Sequence, residues 1–165
     1  MLSKNKIVLA LFSVLFCTKI YASSNNYNLR LNPLGLLFSQ ISGGVDFKIG
    51  EKASVGLLFM HYDYKDSFSG NGFGLDYNYA MGHAMFTDGW YVNPNLWYKR
   101  HDTNGTDIKS KANFKTDVIS LGAKFVYGWY WDNINTRLGF GIQYDTKYVV
   151  SPIGLDFEWS LGFAF

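Results

Sequence analysis

The sequence predicts an all-β fold, an eight-stranded antiparallel up-and-down transmembrane β-barrel. Three observations predict it. The stretch Gly154–Phe165 alternates strictly: Leu155, Phe157, Trp159, Leu161, Phe163 and Phe165 fall on one face, Asp156, Glu158, Ser160, Gly162 and Ala164 on the other. A strand does this when only one face meets an apolar medium. Elsewhere the polar faces are rich in very small residues, among them Gly74, Ala80, Gly122, Gly128, Gly139 and Gly141. Small side chains suit the crowded inside of a narrow tube, whereas a water-facing strand surface favours Thr, Lys and Glu. The aromatic residues sit on the apolar faces and cluster towards strand ends, as in Tyr62/Tyr64 and Trp129/Trp131, which fits interfacial girdles.

Each strand follows from alternation bounded by turn residues. The first starts near Asn26 and sets Leu29 and Leu31 against Asn28, Arg30 and Asn32; Pro33 cannot donate to a ladder, so where this strand ends is left open by the sequence. Residues 31–38 make a bend. The second, about 43–49, opposes Val45, Phe47 and Ile49 to Asp46 and Lys48. The third, about 54–64, puts Leu58, Met60, Tyr62 and Tyr64 on the apolar face and His61 and Asp63 on the polar one. The fourth, about 72–82, opposes Phe73, Leu75, Tyr77, Tyr79 and Met81 to Gly74, Asp76, Asn78 and Ala80. The fifth, about 90–100, carries Asn93, Asn95, Trp97 and Lys99 inward. The sixth, about 117–131, shows Ile119, Leu121, Ala123, Phe125, Tyr127, Trp129 and Trp131 on one face. The seventh, about 136–146, opposes Leu138, Phe140, Ile142 and Tyr144 to Arg137, Gly139, Gly141, Gln143 and Asp145. Short turns (50–53, 87–89, 132–135) alternate with longer loops (65–71, 101–114), which suits an even-stranded barrel with both termini on the short-turn side. No segment has helical period.

The first 22 residues read as a secretory signal peptide. Lys4 and Lys6 form a basic start, 7–17 is apolar, and Tyr-Ala-Ser suggests cleavage near Ala22. Eleven apolar residues are too few for a spanning helix, which needs roughly 20. Cys17, the only cysteine, lies here, so the mature chain has no thiol chemistry. Residues 23–165 then form one barrel domain. They carry twelve basic residues against thirteen acids, a balance that argues against a nucleic-acid partner.

The aromatic-ended last strand resembles the assembly signal of bacterial outer-membrane barrels, carried here by Trp159, Leu161, Phe163 and Phe165. The whole mature chain resembles small eight-stranded outer-membrane proteins. Leu31-Asn-Pro-Leu-Gly-Leu-Leu-Phe38, followed by Gly44-Val-Asp-Phe-Lys-Ile49, is similar to the opening of a family of short bacterial barrels of unknown function. The resemblance implies a Gram-negative outer-membrane location, contact with outer-membrane lipids and lipopolysaccharide, insertion by the barrel assembly machinery, and a monomer. It supplies no catalytic residue and no cofactor.

The charges expected inside the tube are Asp46, Lys48, Asp63, Asp76, Lys99, Lys124, Arg137, Asp145, Asp156 and Glu158, with His61 as a further partner. Buried charges need partners, so they predict an ion-pair network that plugs the lumen, and hence a structural or interaction role through the outer loops. A narrow pore for ions or small solutes is the alternative reading of the same charges. His61 and Asp63, two apart on one face, are residue types that could make half of a catalytic relay, but no strand serine completes it. His101-Asp-Thr-Asn-Gly105 resembles the His-x-Ser-Asn site of outer-membrane lipid A deacylases, with Thr103 in place of the nucleophilic serine; this is the acyl-hydrolase alternative. A soluble exported ligand-binding barrel is the last. No zinc motif, phosphate loop or nucleotide fingerprint is present, so no metal or cofactor is expected.

Overall fold

The computed structural model describes residues 25–37, 39–64, 68–103, 114–147 and 152–165. The expected signal peptide and its cleavage point lie outside these residues, as do the central parts of the two long loops. Eight strands follow in order: β1 (Tyr27–Leu31), β2 (Gln40–Gly50), β3 (Ala53–Tyr64), β4 (Phe68–Ala80), β5 (Gly89–Thr103), β6 (Phe114–Trp131), β7 (Ile134–Asp145) and β8 (Ile153–Ala164). Each pairs antiparallel with its sequence neighbour, and β1 also pairs with β8, so the sheet closes into a barrel. Closure leaves no free sheet edge where pairing is complete. The seam is tied at the chain ends: Asn26 and Tyr27 donate backbone N–H to Phe165 O at 2.9 and 2.8 Å, and Phe165 N donates to Tyr27 O at 2.9 Å.

The apolar faces turn outward and the polar faces inward. Phe73, Phe140, Leu155 and Phe157 are exposed, while Asn28, Asp46, Asn78, Asn93, Ser120, Asn135 and Arg137 are fully buried. Small inward residues make room for this polar interior. A Cβ at Gly56 would overlap the carboxylates of both Asp46 and Asp76.

Several strands run further than their apolar stripe. β4 begins at Phe68, β5 continues to Thr103 and β6 begins at Phe114, so the loops expected at 65–71 and 101–114 are shorter. Backbone pairing continues past the point where outward residues turn polar. One register row reads His61, Asn71, Arg100, Asp117, directly beside Phe59, Phe73, Tyr98, Ile119.

β3 corrects the sequence reading. Ser54, Leu58 and Tyr62 are buried, whereas Leu57, Phe59, His61 and Asp63 face outward. Hydrophobicity does not discriminate here, because both faces of this strand are apolar in the middle. Register does. Gly56 stands directly opposite Asp46 on β2 and Asp76 on β4. Directly opposed residues in an antiparallel pair share a face. Two inward carboxylates therefore fix Gly56 inward, and the even-numbered residues from Ser54 to Tyr62 with it.

Two connections differ from expectation. The bend after β1 contains a helical turn, α1 (Pro33–Leu37). Asn32 caps it, its Oδ1 accepting from Gly35 N at 3.2 Å, and Pro33 occupies the first helical position. The segment between β4 and β5 spans 81–88 and folds over the turn end of the barrel. Met85 N donates to Glu51 O in the neighbouring turn at 2.7 Å. Met85 and Phe86 are buried against the inward residues Ala80, Tyr91 and Val126, with Tyr130 packed alongside. The Tyr91 hydroxyl bonds Thr87 O. This end of the tube is closed by an apolar stopper.

Candidate functional site

The interior is a polar network in which strands from around the barrel take part. Arg30 of β1 is its hub. Its Nη2 donates to Asp46 Oδ1 at 2.5 Å and to Asp76 Oδ2 at 2.8 Å, and its Nη1 donates to Glu158 Oε1 at 3.1 Å. Arg137 of β7 is fully buried. Its Nη2 donates to Asn78 Oδ1 at 2.8 Å, while Asp46 and Glu158 each lie 3.5 Å from its guanidinium. The same guanidinium stands over the Tyr91 ring, 5.7 Å from its centroid. Lys124 of β6 pairs with Glu158 at 3.0 Å and Asp156 at 3.5 Å. Higher towards the loop end, Lys99 faces Asp145 at 3.7 Å.

Asparagines add further hydrogen bonds. Asn93 Nδ2 donates to Asp76 Oδ2 and Asn78 Oδ1, both at 2.9 Å. Asn28 Nδ2 donates to Asp46 Oδ2 at 3.1 Å, and Asn135 Nδ2 donates to Asn28 Oδ1 at 2.8 Å. Isolated charges buried this deeply would be prohibitively costly. Opposite charges within 2.5–3.5 Å and bound carboxylate lone pairs offset that cost.

Of the residues expected inside, Asp46, Lys48, Asp76, Lys99, Lys124, Arg137, Asp145, Asp156 and Glu158 do face inward, with Lys48 half-buried near the turn end. His61 and Asp63 do not: both are exposed on the outside of β3, where His61 Nδ1 lies 2.8 Å from Asn71 Oδ1. No relay therefore points into the lumen from this pair. The residue that sequence reasoning left out of the interior set is Arg30. The signal for it was available, since Arg30 alternates with Leu29 and Leu31. With Asp63 removed and Arg30 added, the inward charges of the described residues balance one for one: Arg30, Lys48, Lys99, Lys124 and Arg137 against Asp46, Asp76, Asp145, Asp156 and Glu158.

Trp159, Leu161, Phe163 and Phe165 share the outward side of β8, with Phe165 ringed by Tyr27 at 5.6 Å and Phe163 at 6.1 Å. His101 turns inward and its Nδ1 is hydrogen-bonded to the buried Tyr62 hydroxyl. Its ring therefore lies on the opposite side of the wall from the apolar face. Asn104 and Gly105 of the same motif lie outside the described residues. No group of three or more His, Cys, Asp and Glu with metal-binding geometry occurs among the described residues.

No family model matches the chain, and no curated protein matches it. Among solved structures, it is similar to the N-terminal β-barrel domain of Pseudomonas aeruginosa OprF, with a TM-score of 0.57 and 15% sequence identity over 86% of this chain and 98% of that one. At this identity the likeness shows the fold: a closed eight-stranded antiparallel barrel of the type found in an outer-membrane protein.

Proposed function

We propose that this chain is an outer-membrane barrel with a sealed polar lumen, which acts as a structural or interaction protein through its loop end. The observation that carries the reading is the inverted polarity. The centre of the molecule is an arginine–carboxylate–asparagine network, and the surface is leucine, isoleucine, phenylalanine, tyrosine and tryptophan. Soluble barrels with the same alternation place the apolar face inside. Every backbone group in a bilayer must be paired internally, and a closed barrel does this.

The dimensions agree. Outward residues of β6 run apolar from Ile119 to Trp131. Those steps cover about 40 Å of strand at ~3.3 Å each, or roughly 30 Å along an axis tilted about 40° away. That matches an apolar band of about 25 Å with its girdles. Trp90 and Tyr127 stack edge to face at 5.1 Å near the turn end, with Trp129 beside Tyr127 at 4.7 Å, as an interfacial belt requires.

Two seals in series support a plugged lumen over a pore: the charge-balanced network in the middle, and the Met85/Phe86 stopper at the turn end. The inward placement of His101 supports a non-enzymatic role over lipid hydrolysis. The reading includes removal of residues 1–22 as a signal peptide, membership of the short-barrel family whose opening resembles 31–38, a monomeric state among lipids and lipopolysaccharide, and delivery through the barrel assembly machinery by the outward aromatics of β8.

The test is fractionation of Gram-negative cells expressing the chain, with gel mobility before and after boiling. Recovery in the outer membrane with a heat-dependent shift is expected. Recovery in the soluble periplasmic fraction would overturn the placement.

A further inference from the structure

Residues 81–88 cover the turn end of the barrel in a conformation that has to be held. Phe86 has a φ of 63° and Gly82 one of 85°, both in the left-handed region, where a bulky side chain is rarely found. Burial of Met85 and Phe86 supplies part of the hold, and the bond from Met85 N to Glu51 O supplies more. Further polar contacts converge on one side chain, His83.

The imidazole of His83 ties the two ends of the segment together. Its Nε2 lies 2.9 Å from Trp90 O on β5. Its Nδ1 lies 2.9 Å from Ala84 O and 3.2 Å from Thr87 Oγ1. The Tyr91 ring meets it edge to face at 4.8 Å. Gly89 makes room for this seat: its φ is 144°, and a Cβ there would overlap the His83 ring.

These partners set the number of protons the ring must carry. A carbonyl oxygen only accepts. Thr87 has one hydroxyl hydrogen, and it goes to Ala84 O at 2.7 Å, so Thr87 Oγ1 also faces the ring as an acceptor. Both ring nitrogens must then donate, and imidazole has two N–H groups only in its protonated form. The neutral ring has to turn one lone pair towards an oxygen.

We infer that His83 is a proton-operated latch on the turn-end stopper: protonated, it clasps Trp90 to Ala84 and Thr87, and neutral, it releases one side and loosens 83–87 over the mouth. Histidine is the side-chain type whose ordinary titration falls between about pH 5 and 8. The other charged and titratable groups around the segment are engaged elsewhere. Glu51 and Lys52 of the β2–β3 turn meet it through their backbone carbonyls, which accept from Met85 N and Ala80 N. Asp88 Oδ1 accepts from Tyr130 N at 2.6 Å. The Tyr91 hydroxyl bonds Thr87 O, and Arg137 stands against the far network with its guanidinium over the Tyr91 ring. The latch is read from the stopper's own bonds and does not rest on the membrane placement. It acts on one seal, and the polar midsection still fills the tube when it opens.

The test is amide hydrogen exchange of the barrel refolded in dodecylphosphocholine micelles, at about pH 5.5 and about pH 8. Protection is taken relative to the unstructured exchange rate at each pH. Protection of Met85 and Thr87 should fall about tenfold or more on going to the higher pH, the loss expected for a hydrogen bond to a charged group. Phe125 and Phe140, in the strands, should not change. His83→Gln should show the lower protection at both pH values, whereas His61→Gln and His101→Gln should keep the change. Heat-dependent gel mobility reports that each variant is folded. Should His83→Gln fail to fold, the ring nitrogen resonances of the native chain decide: two protonated nitrogens at the lower pH and one at the higher, in step with the amides, are expected. A ring that keeps one state at both pH values, or protection of Met85 and Thr87 that does not change, would overturn the latch. So would a change that persists in His83→Gln, which assigns it to another group, or one that spreads to Phe125 and Phe140, which assigns it to the whole barrel.

Discussion

Arg30 and Arg137 bind groups from three or more other strands each; without Arg30, Asp76 would lose its ion-pair partner while buried, and without Arg137, Asp46 and Glu158 would each lose one of their cations. Arg30 bridges β2, β4 and β8, and Arg137 reaches β2, β4 and β8 with Tyr91 of β5 beneath it. The net stability of such a network relative to an apolar core is small, but breaking it by removing one partner costs about 3–5 kcal/mol. Arg30→Ala should lose that amount in reversible urea unfolding of the lipid-refolded barrel, because it leaves the buried Asp76 without its ion-pair partner. A loss within about 0.5 kcal/mol, the range of ordinary surface substitutions, would show that the network is not holding the fold together. The contrast on β3 is equally sharp. His61→Ala, on the outer face, should change stability by less than about 0.5 kcal/mol. Gly56→Val should prevent normal folding, because its side chain would displace the carboxylates of Asp46 and Asp76. Equal effects at the two positions would mean that β3 is turned the other way. At this scale the interior was largely legible. Charges alternating with large apolar residues identify their own face, as at Asp76, Lys124 and Glu158. β3 was not legible, because Leu57 and Phe59 are as apolar as Leu58 and Met60, and the deciding information lay in register with two other strands. Arg30 carried the same alternation with Leu29 and Leu31, but on a strand only five residues long.

The strands differ in how much of the wall they supply. β6 crosses the whole apolar band, and β8 matches it with six outward residues followed by Phe165, whereas β1 contributes only Tyr27, Leu29 and Leu31. A charge in the middle of the band, Phe140→Arg, should cost roughly 2–4 kcal/mol of stability in lipid, by the same unfolding measurement. The same substitution in a soluble barrel would be nearly neutral, so the size of the loss reports the medium facing β7. α1 shows why its short sequence motif reads as it does. Asn32 caps the turn, Pro33 starts it, and Gly35 is pressed so closely on Gln40 that a Cβ would come within 2.8 Å of its carbonyl oxygen. A helix of five residues has too little periodicity to be recognised from sequence, and the capping residues were the available signal. The ends of β4, β5 and β6 were missed for a different reason. Their ladders continue beyond the apolar stripe, where outward residues such as Asn71, Arg100 and Asp117 look like loop.

At the scale of the whole molecule, the barrel is a tube closed twice. The midsection is filled by balanced ion pairs, as an eight-stranded interior of side-chain width allows. The turn end is filled by Met85 and Phe86, which the sequence did not announce, since 81–88 carries no period and its burial depends on the mouth it covers. A single neutralised charge therefore opens only one of two seals. Conductance of the purified barrel in a planar bilayer tests this account most directly. The membranes should remain silent for the native chain and for Lys124→Met. Steady unitary currents through the native chain, altered in size or selectivity when Lys124 or Asp156 is neutralised, would contradict the sealed lumen and establish a pore.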